Sequence, residues 1–391
     1  MPGLAASIAG PASLIAWVGL SLASFPFAYT FASLSARHPE SGGVYGFSKE
    51  AFGFHTGVVT SWLFAFWFIT GAPAVTLIAA SYLGYAFPLS RPETFLAAFA
   101  IISAAFLVNF RGIVVSSRVQ LAVIILTVGV LLAAALSSLG KVRIESFSPF
   151  FPDGFLAVGT AASLIFWSYL GYENVSNVAE EFENPKRDFV RSIFLSVLVI
   201  GVLFVSLSFV TIGTRAYVGA GGVAPFAAML SNVLGSGAAV AIAVLTAFII
   251  FSVANAYMTG MSRVIYAASR DGALPRVLDK LDPKMGAPLR ALVALFACSM
   301  IALVVYYFLN IDLETALLIP SGAAIIVYVI GSSAGIKLMK QNRTKLTFAG
   351  ISLAISLIIL PFVGVLLAAS FVAIILALIY ATYSRRRKAA P

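Results

Sequence analysis

Several kinds of side chain are scarce in this sequence, and each scarcity removes a class of function. A single cysteine, Cys298, excludes a disulfide framework and any metal site built from several thiolates. Two histidines, His38 and His55, leave little for imidazole catalysis or a histidine-based metal centre, so no cofactor or metal is expected. Charge is thin: 10% of the 391 residues are Asp, Glu, Lys or Arg, and no polar stretch is long enough for a separate soluble domain. What fills the space is apolar. Hydrophobic residues make up 61% of the chain, more than a soluble domain of this length carries. The runs are continuous rather than alternating, so the expected fold is an all-α integral membrane protein and not a β-barrel.

Apolar runs predict spans near 13–34, 55–87, 95–110, 121–139, 155–182, 189–214, 237–266, 291–309 and 316–336. The last block, 346–383, is too long for one crossing of a ~30 Å hydrocarbon core. Pro361 and Gly364 mark the turn of a helical hairpin there, which brings the total to about eleven full crossings. The first block breaks at Gly10-Pro11 after roughly half a bilayer. It lacks the basic leader of a signal peptide; the expectation is a start further upstream or a peripheral piece.

The net charge of +10 tests this threading. With the loop after the 13–34 span placed in the cytoplasm, twenty-one of the 25 Lys and Arg fall inside. Only Arg91, Lys141, Arg143 and Arg215 stay outside, the asymmetry of a multi-pass protein of the cytoplasmic membrane with a cytoplasmic C-terminus. That reading takes the basic balance as loop bias and expects no nucleic-acid partner. Glycines echo between the halves: Gly42-Gly43-Val44…Gly53 follows one span and Gly221-Gly222-Val223…Gly235 another, on opposite faces by this threading. Inverted repeats produce such a pattern. The expected organisation is one transmembrane domain over 1–384, with a first repeat at 1–140, a second at 153–340 and a C-terminal hairpin at 345–383. A basic cytoplasmic tail, 385–391, follows.

Within the 155–182 run, residues 166–177 read Phe-Trp-Ser-Tyr-Leu-Gly-Tyr-Glu-Asn-Val-Ser-Asn. A carboxylate, two asparagines and a glycine in mid-span are costly unless they face protein or water. Irregular backbone at that depth is tolerated where it lines a cavity. The segment is therefore expected to be a broken helix beside a midplane binding site. An embedded enzyme would need a nucleophile and base, or metal ligands, clustered near one interface, and a channel would need polar residues through the whole membrane. Neither pattern is present.

Three motifs stand in order along the chain: Pro39-Glu40-Ser41-Gly42-Gly43, then Phe166–Glu173 running into Glu181-Phe182-Glu183-Asn184-Pro185-Lys186-Arg187-Asp188, then Ser262-Arg263-Val264-Ile265-Tyr266 with Arg270-Asp271-Gly272 and Pro275. Together they resemble the amino acid/polyamine/organocation family of amino-acid permeases, and within it the bacterial methionine and branched-chain exporters. The resemblance covers essentially the whole chain. It implies a leucine-transporter-like 5+5 inverted repeat plus two C-terminal helices. Its first and sixth spans would be unwound, their freed amides holding an amino acid's carboxylate and their carbonyls its ammonium. It also implies that Trp167 is an aromatic gate and that Glu173 senses protons. Two departures stand out. The glycine-rich break of the first span is absent, so the first half-helix is lacking. The fifth-span lysine of proton-coupled relatives is matched by Thr127, which leaves exchange or Glu173-linked coupling, with a proton or a counter-substrate as coupling partner.

Beside Phe166, Trp167, Ser168, Tyr169 and Gly171, the residues expected at the substrate are Gly71, Ala72 and Val75 around Pro73, and Ser321 after Pro320. Small-residue helix packing is the alternative for these last four. Asn255 is expected to bond between helices, and Arg263, Arg270 and Asp271 to form a network at the cytoplasmic boundary. Glu173 is the only acid expected at depth, and no Lys or Arg reaches the midplane. The expected function is therefore a secondary transporter or exchanger moving neutral, hydrophobic L-amino acids by alternating access. The alternatives are a non-transporting sensor or truncated copy, and a carrier of cationic amino acids or polyamines.

Overall fold

The computed structural model describes residues 1–35, 43–112, 117–172, 190–283 and 286–389, and every regular element in them is helical. Glu173, with the rest of 173–189, lies outside the described residues. The first half runs α1 (Pro2–Ala9), α2 (Ser13–Ser35), α3 (Val44–Phe52), α4 (Phe54–Ala86), α5 (Arg91–Phe110) and α6 (Ser117–Ser138). The second runs α7 (Gly154–Ile165), a 3₁₀ turn at Phe166–Tyr169, α8 (Val190–Gly213), α9 (Pro225–Leu234), α10 (Ser236–Arg270), α11 (Leu289–Phe308) and α12 (Leu313–Leu338). Finally α13 (Arg343–Ile359) and α14 (Leu367–Ala389) flank a turn in which Gly364 has φ 67°.

Nine helical segments among the described residues are long and apolar enough to cross a membrane, with 343–384 taken as one. Splitting that block at Gly364 and adding the shorter, broken 154–169 segment gives the eleven crossings expected. Several helix starts fall earlier than the apolar pattern suggested, and in α5 and α12 polar caps extend them. Ser90 and Glu93 form a capping box that starts α5 at Arg91, and Asp312 accepts a hydrogen bond from the Thr315 amide at 2.7 Å to start α12.

The glycine echo has a structural counterpart. Short α3 ends at Gly53 (φ 90°, ψ −179°) and leads straight into α4 of 33 residues. Short α9 ends at Gly235 (φ 83°, ψ 179°) and leads straight into α10 of 35 residues. A positive φ with extended ψ is a conformation essentially reserved for glycine, so the same sharp corner is cut twice.

α4 is the central post, packed against α3, α5, α10, α11, α12 and α14. Helices approach closely where one supplies no side chain: the face of Gly331 on α12 lies against the Phe31 ring of α2, and Gly159 on α7 against the Phe362 ring. Polar groups inside the bundle pair across helices. Asn109 Nδ2 of α5 donates to Asn255 Oδ1 of α10 at 2.7 Å, and the Thr259 hydroxyl donates back to Asn109 Oδ1.

Candidate substrate-binding site

The site begins where a helix stops. α7 tightens into the 3₁₀ turn at Phe166, and the backbone then goes extended at Leu170 (φ −78°, ψ 155°) and left-handed at Gly171 (φ 123°). Only glycine takes such a φ without strain, so Gly171 permits the break. Three residues per 3₁₀ turn place i and i+3 on one side. Phe166 and Tyr169 accordingly share a face turned away from the hollow. Phe166 packs edge-on against Phe27 and Tyr328, with ring centroids 5.8 and 5.3 Å away. The Tyr169 hydroxyl donates to the Trp17 carbonyl at 3.1 Å and lies 2.8 Å from Ser21 Oγ.

Trp167, Ser168 and Leu170 face the other way, into a cavity of about 500 Å³, within the usual range for small-molecule sites. The Trp167 indole is held on three sides. Its Nε1 donates to the Leu317 carbonyl of α12 at 2.9 Å, its ring meets Trp67 at 5.9 Å, and its six-membered edge lies where a Cβ on Gly71 would be. Gly71 thus makes room for the Trp167 indole. Ala72, Val75 and Thr127 line the same cavity, and the Thr127 hydroxyl donates within its own helix to the Val123 carbonyl at 2.6 Å. Ser321 does not line it. Fully buried, Ser321 donates to the Leu317 carbonyl at 2.7 Å, the oxygen that also receives the Trp167 indole.

Several lining residues were not singled out from sequence. On α4 the cavity face continues through Trp67, four residues before Gly71, Ile78, three after Val75, and Tyr82, four after Ile78; helical spacing alone would have found them. On α10 it includes Thr246, Ile249, Ile250, Val253, Tyr257 and Met261, a mostly apolar set that leaves the helix's Asn255 and Arg263 out of the lining. Phe204 of α8, Phe226 of α9, and Met1 and Pro2 at the start of α1 add to the wall. Trp17 is fully buried against it, and its indole N–H has no hydrogen-bond partner among the described residues.

No acidic or basic side chain is among the described lining residues. The polar groups there are hydroxyls, phenols and indoles. Charge appears instead at the end of α10. Asp271 Oδ2 accepts from Lys49 Nζ at 2.6 Å and from the Tyr45 hydroxyl at 2.7 Å, joining α3 to α10. Burial pushes the Asp271 carboxyl up, but the donors Lys49 and Tyr45 and the charges of Lys49 and Arg270 outweigh it and hold the group below the usual carboxylate range. Tyr45 is raised by burial and by the same carboxylate. No group of three or more His, Cys, Asp and Glu placed to hold a metal occurs among the described residues.

Comparison with known proteins agrees with this arrangement. The sequence profile of the amino acid permease family matches residues 1–386. The amino acid permease YecA of Bacillus subtilis (strain 168) is 33% identical over 342 residues, 88% of this chain and 81% of that protein. The L-methionine/branched-chain amino acid exporter YjeH of Escherichia coli (strain K12) is 29% identical over 359 residues, 90% of this chain and 84% of that protein. A cadaverine/lysine antiporter of the same organism is 28% identical over 306 residues, 74% of this chain and 68% of that protein. With a profile match over nearly its whole length and a bundle of helices long and apolar enough to cross a membrane, the chain belongs to the amino acid permease family, a family of membrane transporters and not of enzymes.

Proposed function

We propose that this permease carries neutral, hydrophobic L-amino acids across the cytoplasmic membrane, as a secondary transporter or exchanger working by alternating access. One observation carries the reading: a cavity of about 500 Å³ opens at the helix break, with no charged side chain among its described lining residues. Taking a charged substrate side chain out of water is expensive without an opposite charge to receive it. An apolar side chain gains from the same walls. The substrate's own carboxylate and ammonium are met by the unwound backbone about Leu170 and Gly171, with Trp167 as the movable cover over Gly71, Ala72 and Val75. Ser168 and Thr127 add hydroxyls, and Glu173 couples a proton or gates. The matching α3–α4 and α9–α10 corners support two inverted halves, 1–140 and 153–340, and the charge asymmetry supports a cytoplasmic C-terminus. Similarity to a methionine/branched-chain exporter points to the same substrate class, while similarity to a cadaverine/lysine antiporter keeps a cationic substrate as the competing reading.

Flux into proteoliposomes tests it, with labelled leucine competed by unlabelled leucine, arginine or glutamate. Leucine is expected to compete at least about 100-fold better than arginine, the scale of leaving one charge buried and unpaired. Preference for arginine would sink the charge argument. Leucine binding without flux would favour a sensor over a carrier.

A further inference from the structure

A second hollow, about 920 Å³, lies away from the candidate substrate cavity. It sits at the ends of α6 and α8, lined by Ser138, Lys141, Arg143, Glu145, Thr214 and Arg215 among others. α4, α5 and α6 cross in alternation, so this is the face opposite the Lys49–Asp271 pair. The charge asymmetry makes it the external face, where only four of the 25 Lys and Arg lie. Three of those four line this one hollow. Set against them is a single carboxylate, Glu145. Like charges gathered around one concavity focus a positive potential into it, and an anion relieves their repulsion.

Two further observations point to a ligand. Ser138 is buried, 1% exposed, yet its hydroxyl has no hydrogen-bond partner among the described residues, and it lines the hollow. Nor does any carboxylate among the described residues hold the guanidinium of Arg143 or Arg215. Arg215 is also one of two non-glycine residues with positive φ, at 53°. The turn that aims it into the hollow is held by the Arg215 amide donating to the Ile212 carbonyl at 2.9 Å and the Ala216 amide to the Thr211 carbonyl at 3.1 Å. Guanidinium groups with a hydroxyl donor beside them suit an oxyanion with several acceptor oxygens.

The surroundings indicate what presents that oxyanion. Leu132, Leu136 and Leu139 form an exposed stripe leading along α6 toward the hollow, and exposed Val202 and Phe209 run along α8 beside it. In a membrane such stripes face acyl chains. A basic pocket between helices with apolar lanes below it has the form of a headgroup site. We propose that this hollow binds a phosphate oxyanion, presented by the headgroup of an anionic phospholipid in the external leaflet. Its location as external rests on the charge asymmetry; the binding itself does not depend on the identity of the transported substrate. The site is distinct from the substrate cavity but built on the same helices. Ser138 and Thr214 each stand seven residues beyond a cavity-lining residue, Leu131 and Leu207, about 10 Å along the axis. α9 likewise gives Met229 to the hollow and Phe226 to the cavity.

The test is retention of lipid by the purified protein, read by native mass spectrometry from nanodiscs of equal phosphatidylglycerol and phosphatidylcholine. Wild type is expected to retain phosphatidylglycerol preferentially. The preference should fall roughly fivefold for each arginine removed in R143Q/R215N, where asparagine tolerates the left-handed turn. S138A should weaken it further. R91Q, which removes the remaining external cation and its hydrogen bond to the Tyr307 carbonyl, should leave it unchanged. No headgroup preference in wild type, or the same preference in R143Q/R215N, overturns the proposal. A second arm adds inorganic phosphate to protein in phosphatidylcholine alone. Arginine-dependent thermal stabilisation there, without any headgroup preference, would assign the site to a soluble anion and overturn the lipid.

Discussion

Helices α4 and α10 do opposite things at two depths. Near their boundary ends the link runs through α3, which packs on Gly57 of α4 and is tied to the end of α10 by charge: Asp271 takes hydrogen bonds from Lys49 and Tyr45. Further along, the same two helices present Trp67, Gly71 and Val75 on one side and Ile250, Val253 and Tyr257 on the other, with no charge between them. The difference follows from the solvent. At the boundary a carboxylate is stabilised by water and by its donors together; in the middle an unpaired charge would be prohibitive, so the walls there are apolar side chains, indole edges and hydroxyls. Charge fastens the end of the bundle, and apolar walls line its centre.

The largest effect that could break this contrast is expected at Gly71. A Gly71→Val side chain would occupy the space of the Trp167 indole. Overpacking of this kind costs about 1–3 kcal/mol, so leucine uptake in proteoliposomes should fall roughly 10- to 100-fold. Uptake at the wild-type rate would mean that Trp167 does not cover the site. Next in size is Asp271→Asn. The Lys49–Asp271 pair is exposed, with side chains 41% and 40% accessible, while the Tyr45 hydrogen bond is partly buried, so the loss in stability should be about 1–2 kcal/mol.

That loss should depend on pH with a definite sign. The folded carboxyl of Asp271 is held below its unfolded value, so its contribution is complete above about pH 4 and disappears as pH falls through the folded value. Melting curves of wild type and Asp271→Asn should therefore converge in acid and separate toward neutral pH. A constant gap would show that the carboxylate's charge is not what joins α3 to α10. The smallest effect is expected at Tyr169→Phe, which removes one hydroxyl shared by the Trp17 carbonyl and Ser21. About 1 kcal/mol of stability should go, while the half-saturating leucine concentration stays within about twofold. A large rise in that concentration would put the ring in the site after all.

The crossings were legible because twenty apolar residues in a row have few other destinations, and because the loop charges test their number independently. The break in the 155–182 run was legible for the same reason: polar groups in such a run ask for a cavity. α3 and α9 were not. At nine and ten residues they are too short for a hydrophobic period to announce them, and only their glycine corners repeat. Within the site, Trp167, Ser168, Gly71, Ala72, Val75 and Thr127 converge on the cavity, while Phe166, Tyr169, Gly171 and Ser321 do not line it. The sequence locates the stretch but not the directions within it, since a switch from α to 3₁₀ winding decides which way Phe166 and Tyr169 point. The α10 wall could not be read at all, because its lining residues have the same composition as its lipid-facing ones.

The arrangement of indoles has a practical consequence. Of the four tryptophans, Trp17, Trp67 and Trp167 border the cavity, and Trp62 lies elsewhere with its Nε1 bonded to the Ala273 carbonyl at 3.2 Å. Ultraviolet emission from this polypeptide therefore originates mainly beside the candidate substrate cavity. Occupancy can be followed optically, without dyes or radioisotopes, by watching the unlabelled chain change colour and brightness as ligand is titrated in.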